Sequence, residues 1–398
     1  MMAGTYRPGT IKTSVSAQEP WDTSQIPLVV KYDAKPIWPA LNKAFGTCPT
    51  GAALIVAAVE AALIGNAVSY SRNRNWYSAR DRHPLLTYRR TVSSVDDLDR
   101  MGLIRHWKQV PGGLGWQSAF TATGELIEAV MRITDFRALR YLTPPQLTIL
   151  RNMDGHSVNY RLTRAIERQD RRTASFNEAI TGATVRRPDT ACNLAAPLAR
   201  IFNQNLKRGG RFYALGTSWQ NIKSTHRASL TIDGEPVVEL DYATLHPAIL
   251  YHEAGASLPS DSYEIEGWPR DQVKVAMLTL INAKTEAAAR LSIAHNVMGD
   301  GDQGSIRKAS DLIRAIKRKH APIVNAFHSD AGARLMWQDS GLAEDVMTQL
   351  MTHKGIVVLP VHDSFLVPAS KRDELEEAML KAAYEVAGIR AIVKEVAG

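Results

Sequence analysis

The stretch Val237-Val238-Glu239-Leu240-Asp241-Tyr242-Ala243-Thr244-Leu245-His246-Pro247 decides how this chain is read. An apolar, β-rich run ends on Asp241, and from His246-Pro247 the sequence turns into a helix. A carboxylate at the end of a buried strand sits at a sheet edge. There it can hold a metal ion while the following backbone amides face a ligand phosphate.

A second stretch, Ile356 to Pro368, reads as two hydrophobic strands joined at His362-Asp363, a hairpin with an aspartate at its tip. Asp241 and Asp363 flank a helical insert. Two carboxylates with few other ligands suit Mg2+, which keeps its waters and is completed by substrate phosphates; Mn2+ can substitute. In a two-metal site the ions lie roughly 3.5–4 Å apart and clamp the attacking and leaving oxygens of a phosphoryl displacement. Within the insert, Arg270, Lys274, Leu278 and Asn282 recur every four positions and form one helical stripe. Two cations at its start are placed to hold a triphosphate, with the later residues beside base and sugar.

In order and spacing these residues resemble the palm and fingers of family A DNA polymerases and of the related single-subunit phage-type RNA polymerases. The likeness rests on Asp241-Tyr242 after a strand, Arg270 and Lys274 four apart, and His362-Asp363-Ser364-Phe365. Upstream, Gly210-Arg211, Gln220-Asn221-Ile222 and Arg227 match a stretch that touches primer and template in that family. Trp337-Gln338-Asp339-Ser340-Gly341 puts Gln338 in the place of a family glutamine. Together these cover about residues 205–370. The pattern departs at Leu278 and Asn282-Ala283, where the family has an aromatic or Met and then Tyr-Gly.

The resemblance implies a nucleotidyltransferase with a right-hand palm on an antiparallel sheet and reduced helical fingers. Asp241 and Asp363 would hold two Mg2+ ions, and Lys274 would donate a proton to pyrophosphate. Arg270, Lys274, Leu278, Asn282, His246 and Tyr242 would meet the incoming nucleotide. Arg211, Gln220, Asn221, Arg227, His362 and Gln338 would lie along the nucleic acid. His246-Pro247 occupies the sugar-screening place, and its bulk favours deoxynucleotides. The His-Asp-Ser-Phe form is that of the RNA enzymes, which keeps an RNA polymerase or primase as the alternative.

The rest of the chain reads as an α+β assembly. Residues 1–34 form a tail rich in Pro, Thr, Ser and Gly. Residues 35–145 follow the layout of a winged-helix DNA-binding module: a core helix from an N-cap at Thr50, a helix over TVSSVDDLDRM with a Ser cap and Gly102 ending it, then a hairpin with the tip PGGLG. Arg89, Arg90, Ser93 and Lys108 would meet the duplex. Residues 146–210 are expected to be helical, including LAAPLARIFNQNLKR, and to act as a thumb. Between Arg151 and Gly210 there are 11 basic and 5 acidic side chains, most of the net charge of +8. A localised basic belt is the footprint of a polyanion partner, here a DNA primer–template. Residues 211–398 form the palm, with the fingers inserted at 266–334.

With 398 residues, 45% hydrophobic and 22% charged, the chain is neither disordered nor fibrous. Two distant cysteines, Cys48 and Cys192, exclude a disulfide framework or a cysteine zinc site and suit a cytoplasmic protein. The apolar run Gly51 to Val68 carries Glu60 and Asn66 and reads as a core helix; neither a membrane span nor a signal peptide is expected. The sequence Gly299 to Gly304 satisfies GxGxxG without a preceding strand and reads as a surface loop. Asp96, Asp97 and Asp99 share one short helix and cannot supply a proofreading exonuclease. A non-enzymatic replication initiator with a winged helix and a decayed palm is the remaining alternative.

Overall fold

The computed structural model describes residues 25–109, 117–136, 139–190, 192–299 and 301–396. The expected tail up to residue 24 and the glycine-rich hairpin tip at 111–115 lie outside the described residues.

The N-terminal part runs β1 (Gln25–Pro27), α1 (Trp38–Phe45), α2 (Pro49–Leu63), β2 (Ala67–Tyr70), a 3-10 turn (Arg74–Ser78), α3 (Tyr88–Arg100), β3 (Ile104–Trp107), β4 (Ser118–Ala122) and α4 (Gly124–Ile133). Its sheet order is β1-β2-β4-β3. The Ala- and Leu-rich α2 is buried along nearly its whole length. Its one charge, Glu60, is matched by buried Lys31 at 3.2 Å. The cap of α2 is Cys48 rather than Thr50, whose hydroxyl instead donates to the Leu85 carbonyl at 2.9 Å. For α3 the cap is Thr87, six residues ahead of the expected serine, and Gly102 follows the helix in the left-handed region at φ +69°.

The middle part contains β5 (Thr148–Arg151), β6 (Ser157–Val158), α5 (Arg164–Gly182), β7 (Val185–Arg186), β8 (Leu198–Asn203) and β9 (Gly209–Ala214). Here the helical expectation fails over most of its length. Only α5 is helical; LARIFN is strand β8, in a sheet of order β6-β5-β8-β9. It pairs with β5 in parallel and β9 antiparallel, and is buried on both faces, so its apolar run carries no period that separates strand from helix. Arg200, 3% exposed in the middle of β8, is satisfied there by Gly210 O, Ser340 Oγ and Glu344.

The C-terminal part runs α6 (Ser224–Arg227), β10 (Thr231–Ile232), β11 (Glu235–Ala243), α7 (Leu245–Glu253), α8 (Arg270–Asn282), α9 (Glu286–Asn296), α10 (Gln303–Lys319), α11 (Ala331–Met347), β12 (Leu359–Val361), β13 (Ser364–Pro368), α12 (Arg372–Ala387) and β14 (Ile392–Glu395). The stretch between Trp268 and His328 is largely helical, as expected. The sheet order is β12-β13-β11-β10-β7, with β14 also on β11. Strand β11 is its spine: β13 lies along one edge, and β10 and β14 share the other. The molecule is thus α+β. Among the described residues no single helix is long and apolar enough to cross a membrane.

Candidate active site

Alternation along β11 sets the site. Leu240 and Tyr242 are buried on one face, so Glu239 and Asp241 fall on the other. Antiparallel pairing with β13 then puts Asp241 opposite Ser364, next to Asp363 at the tip of the β12–β13 hairpin. The Tyr242 N–H reaches the Asp363 carbonyl at 3.4 Å. The turn closes only with His362 in the left-handed region (φ +63°), and Thr244, just past β11, is there too (φ +56°). Non-glycine residues in this region cost on the order of 1 kcal/mol each and persist where surrounding packing fixes them.

The charge of Asp363 acts on Asp241. The Asp241 carboxyl is pushed up from 3.8 to about 7, by burial first and by the Asp363 charge second, with Lys274 opposing and Glu239 adding. Lys274, exposed on α8, makes no ion pair among the described residues, and its field falls on Asp241. Among those residues no group of three or more His, Cys, Asp and Glu could hold a metal. A two-aspartate donor set that repels itself fits a hard cation that keeps water ligands, not a closed cage.

The expected stripe lies on one helix, α8, with each residue differently engaged. Arg270, in the first turn, pairs with Asp261 (2.8 Å) and lies over the Tyr263 ring at 5.2 Å. Leu278 is half-buried. Asn282 donates to the Leu278 carbonyl at 2.8 Å, and its amide lies over Gly332, where a Cβ would stand 1.7 Å from Asn282 Oδ1 and push the side chain aside.

A third group converges on Asp339, next to the expected Gln338. The Asp339 carboxylate is fully buried. It accepts from Arg211 Nε at 3.1 Å to each oxygen and from His246 Nε2 at 2.9 Å. His362 is close by, with its ring edge to Tyr213 (centroids 5.6 Å) and its Nδ1 buried without a partner. Burial and the Arg211 charge push the His362 imidazole below its ordinary range. A signal for Asp339 existed: Leu335, Leu342 and Val346 lie on the buried face of α11, and an aspartate sits within that apolar stripe.

The other expected contact residues are bonded within the fold, Gln220 and Arg227 in support of the Asp363 hairpin. Gln220 accepts from Ala214 N–H (2.9 Å) and donates to Phe212 O (3.1 Å) and Pro360 O (2.7 Å). Trp219 Nε1 donates to the same Pro360 carbonyl at 3.0 Å. Asn221 Oδ1 accepts from Ser218 N and Oγ. Arg227 is bidentate on buried Glu239 (2.8 and 2.7 Å), and Glu239 also accepts from Ser364 Oγ at 2.7 Å. Tyr242 leaves β11 on the face opposite Asp241, where its hydroxyl donates to Met379 O at 2.6 Å. Its hydroxyl is thus engaged on the side of the strand away from the Asp241 carboxyl. Gln338 is bonded to Glu253 and Arg334.

Two helices present arginines to solvent. On α3, Arg89, Arg90 and Ser93 are exposed, while Lys108 pairs with Asp96 at 3.3 Å. On α5, Arg164, Arg168 and Arg171 recur at helical spacing, are exposed, and make no ion pair among the described residues.

No family model matches this chain, and no curated protein matches it. A solved structure of the POL domain of Pol1 from M. smegmatis, in complex with DNA primer-template and dNTP, matches it at 12% identity. The match covers 92% of this chain and 67% of that one with a TM-score of 0.37, a level that carries no functional argument.

Proposed function

We propose that this chain is a template-directed nucleotidyltransferase that extends a DNA primer with deoxynucleotides. One observation carries the reading. Aspartates 122 positions apart share one field at the end of an antiparallel sheet, and the unpaired Lys274 on the neighbouring helix acts on that field.

In this reading the primer 3′-hydroxyl gives up its proton to solvent as its oxygen bonds to the α-phosphorus, the bond to the bridging oxygen breaks, and pyrophosphate leaves. Asp241 and Asp363 would hold Mg2+, or Mn2+ in its place, which would supply neutralisation of the charge that develops in phosphoryl transfer. Lys274 binds the triphosphate and delivers a proton to the leaving oxygen. Arg270 joins it on the phosphates once exchanged from Asp261. His246 stands against the sugar, and Arg211 faces the nucleic-acid strand. The arginines of α5 act as a thumb-like grip on duplex phosphates without reading sequence. The helix–strand–helix–hairpin order of the N-terminal part supports a winged-helix role for α3.

Extension of a labelled primer–template with separate dNTP and rNTP pools, beside a lane without primer, tests this. Templated extension with dNTP is expected. Extension with rNTP alone, or start without primer, would move the assignment to an RNA polymerase or primase. Duplex binding with no extension from either pool would leave a DNA-binding protein with a relic site.

A further inference from the structure

We infer that Asp339 is a positioning residue that sets sugar selection, by locking His246 and Arg211 into one buried charge cluster; this rests on the nucleotidyltransferase reading above. A carboxylate with no exposed side-chain surface is costly unless its lone pairs are filled. Bidentate Arg211 already satisfies most of that demand. The further bond, from His246 Nε2 at 2.9 Å, is therefore not needed to keep Asp339 buried; its effect falls on the histidine.

His246 sits in the first turn of α7, two residues after the left-handed Thr244 and five residues beyond Asp241. Its side chain is only 11% exposed, so packing narrows its two torsions, and a hydrogen bond selects the rotamer within that space. Among the described residues Asp339 is the hydrogen-bond partner of that ring, and as a carboxylate it accepts from Nε2 and so keeps a proton there. Only a ring held in place can penalise a substrate that carries one more hydroxyl, because a mobile ring swings aside. Arg211, on β9, shares the same carboxylate, so strand-side and sugar-side groups are set by one anchor on α11. Gln338, one position away, is turned toward Glu253 and contributes nothing to this cluster.

The test is the ratio of kcat/KM for dNTP to that for rNTP on one primer–template, in wild type, Asp339→Asn, His246→Ala and the double variant. A general loss of activity or folding lowers both terms and leaves the ratio unchanged. Wild type is expected to favour dNTP, and each single variant to lower the ratio by roughly tenfold or more, mainly through a fall in KM for rNTP. The double variant is expected to fall no further than His246→Ala, since the two act through one contact. If Asp339→Asn does not fold, Asp339→Glu, which keeps the charge and displaces the carboxylate by one methylene, takes its place with the same expectation. A ratio unchanged by the Asp339 variant while His246→Ala lowers it overturns the inference, as does additivity in the double variant. A wild-type ratio near one overturns it while leaving the nucleotidyltransferase reading intact. No wild-type extension from either pool ends both.

Discussion

Asp241 faces Ser364 directly across the ladder between β11 and β13. Ser364 in turn donates to Glu239, two residues back on the same face, so the register is fixed by a buried side-chain bond as well as by the backbone. Asp363 precedes Ser364 and is thereby held beside Asp241. The two carboxylates meet because a hairpin tip, a register and a left-handed His362 all agree.

That meeting has a cost that depends on pH. The folded Asp241 carboxyl titrates near 7 instead of 3.8, so between about pH 4 and 7 the folded chain binds more protons than the unfolded one. Stability from this group therefore falls as pH rises through that window and is level above it. Asp241→Asn removes the penalty. In metal-free buffer at pH 8 it is expected to stabilise the fold by about 2 kcal/mol, a value discounted for partial exposure. At pH 3.5 it should gain nothing. Denaturant unfolding at the two pH values checks this; equal gains at both would contradict it.

The Arg227–Glu239 pair is buried on both sides, with side chains 13% and 7% exposed. Arg227→Met leaves Glu239 uncompensated and is expected to cost about 3–5 kcal/mol of stability. Adding Glu239→Gln should recover most of it, because Ser364 can still donate to the amide oxygen. Thermal unfolding of the single and double variants decides whether Arg227 is framework or a strand contact.

Tyr242→Phe removes one buried hydroxyl and its bond to Met379 O. A loss of about 1 kcal/mol is expected. In a primer-extension assay the KM for nucleotide should stay within about twofold of wild type. A large rise in KM with unchanged stability would return Tyr242 to the nucleotide.

Much of this site was legible in the sequence because its parts are local. Asp241 and Asp363 each end an apolar run, and Arg270 to Asn282 repeat at helical spacing, features that need no tertiary knowledge. What was illegible depends on packing. LARIFN is strand because β5 pairs beside it in parallel, a contact 52 positions away that overrides the helix propensity of its Ala and Leu. Gln220 and Arg227 match a nucleic-acid motif by identity, yet only the fold reveals that Pro360 O and Glu239 take their polar groups. Asp339 was hidden for the same reason: its partners Arg211 and His246 come from β9 and α7.

Replacing Arg164, Arg168 and Arg171 on α5 together with alanine should weaken duplex binding in every sequence alike. The slope of log K against log salt is expected to fall by about 3, roughly one per lost phosphate contact. Fluorescence anisotropy over a salt series measures it. An unchanged slope would make that face a solvated helix surface and nothing more.

The central claim is that Asp241 and Asp363 form one catalytic site, and Asp363→Asn tests it most directly. Primer extension by this variant is compared with wild type at saturating Mg2+, primer–template and dNTP, with duplex affinity measured in parallel. The account predicts a loss of roughly a hundredfold or more in kcat, with affinity for the duplex within about twofold of wild type. Extension at near wild-type rate by a folded Asp363→Asn protein would contradict it.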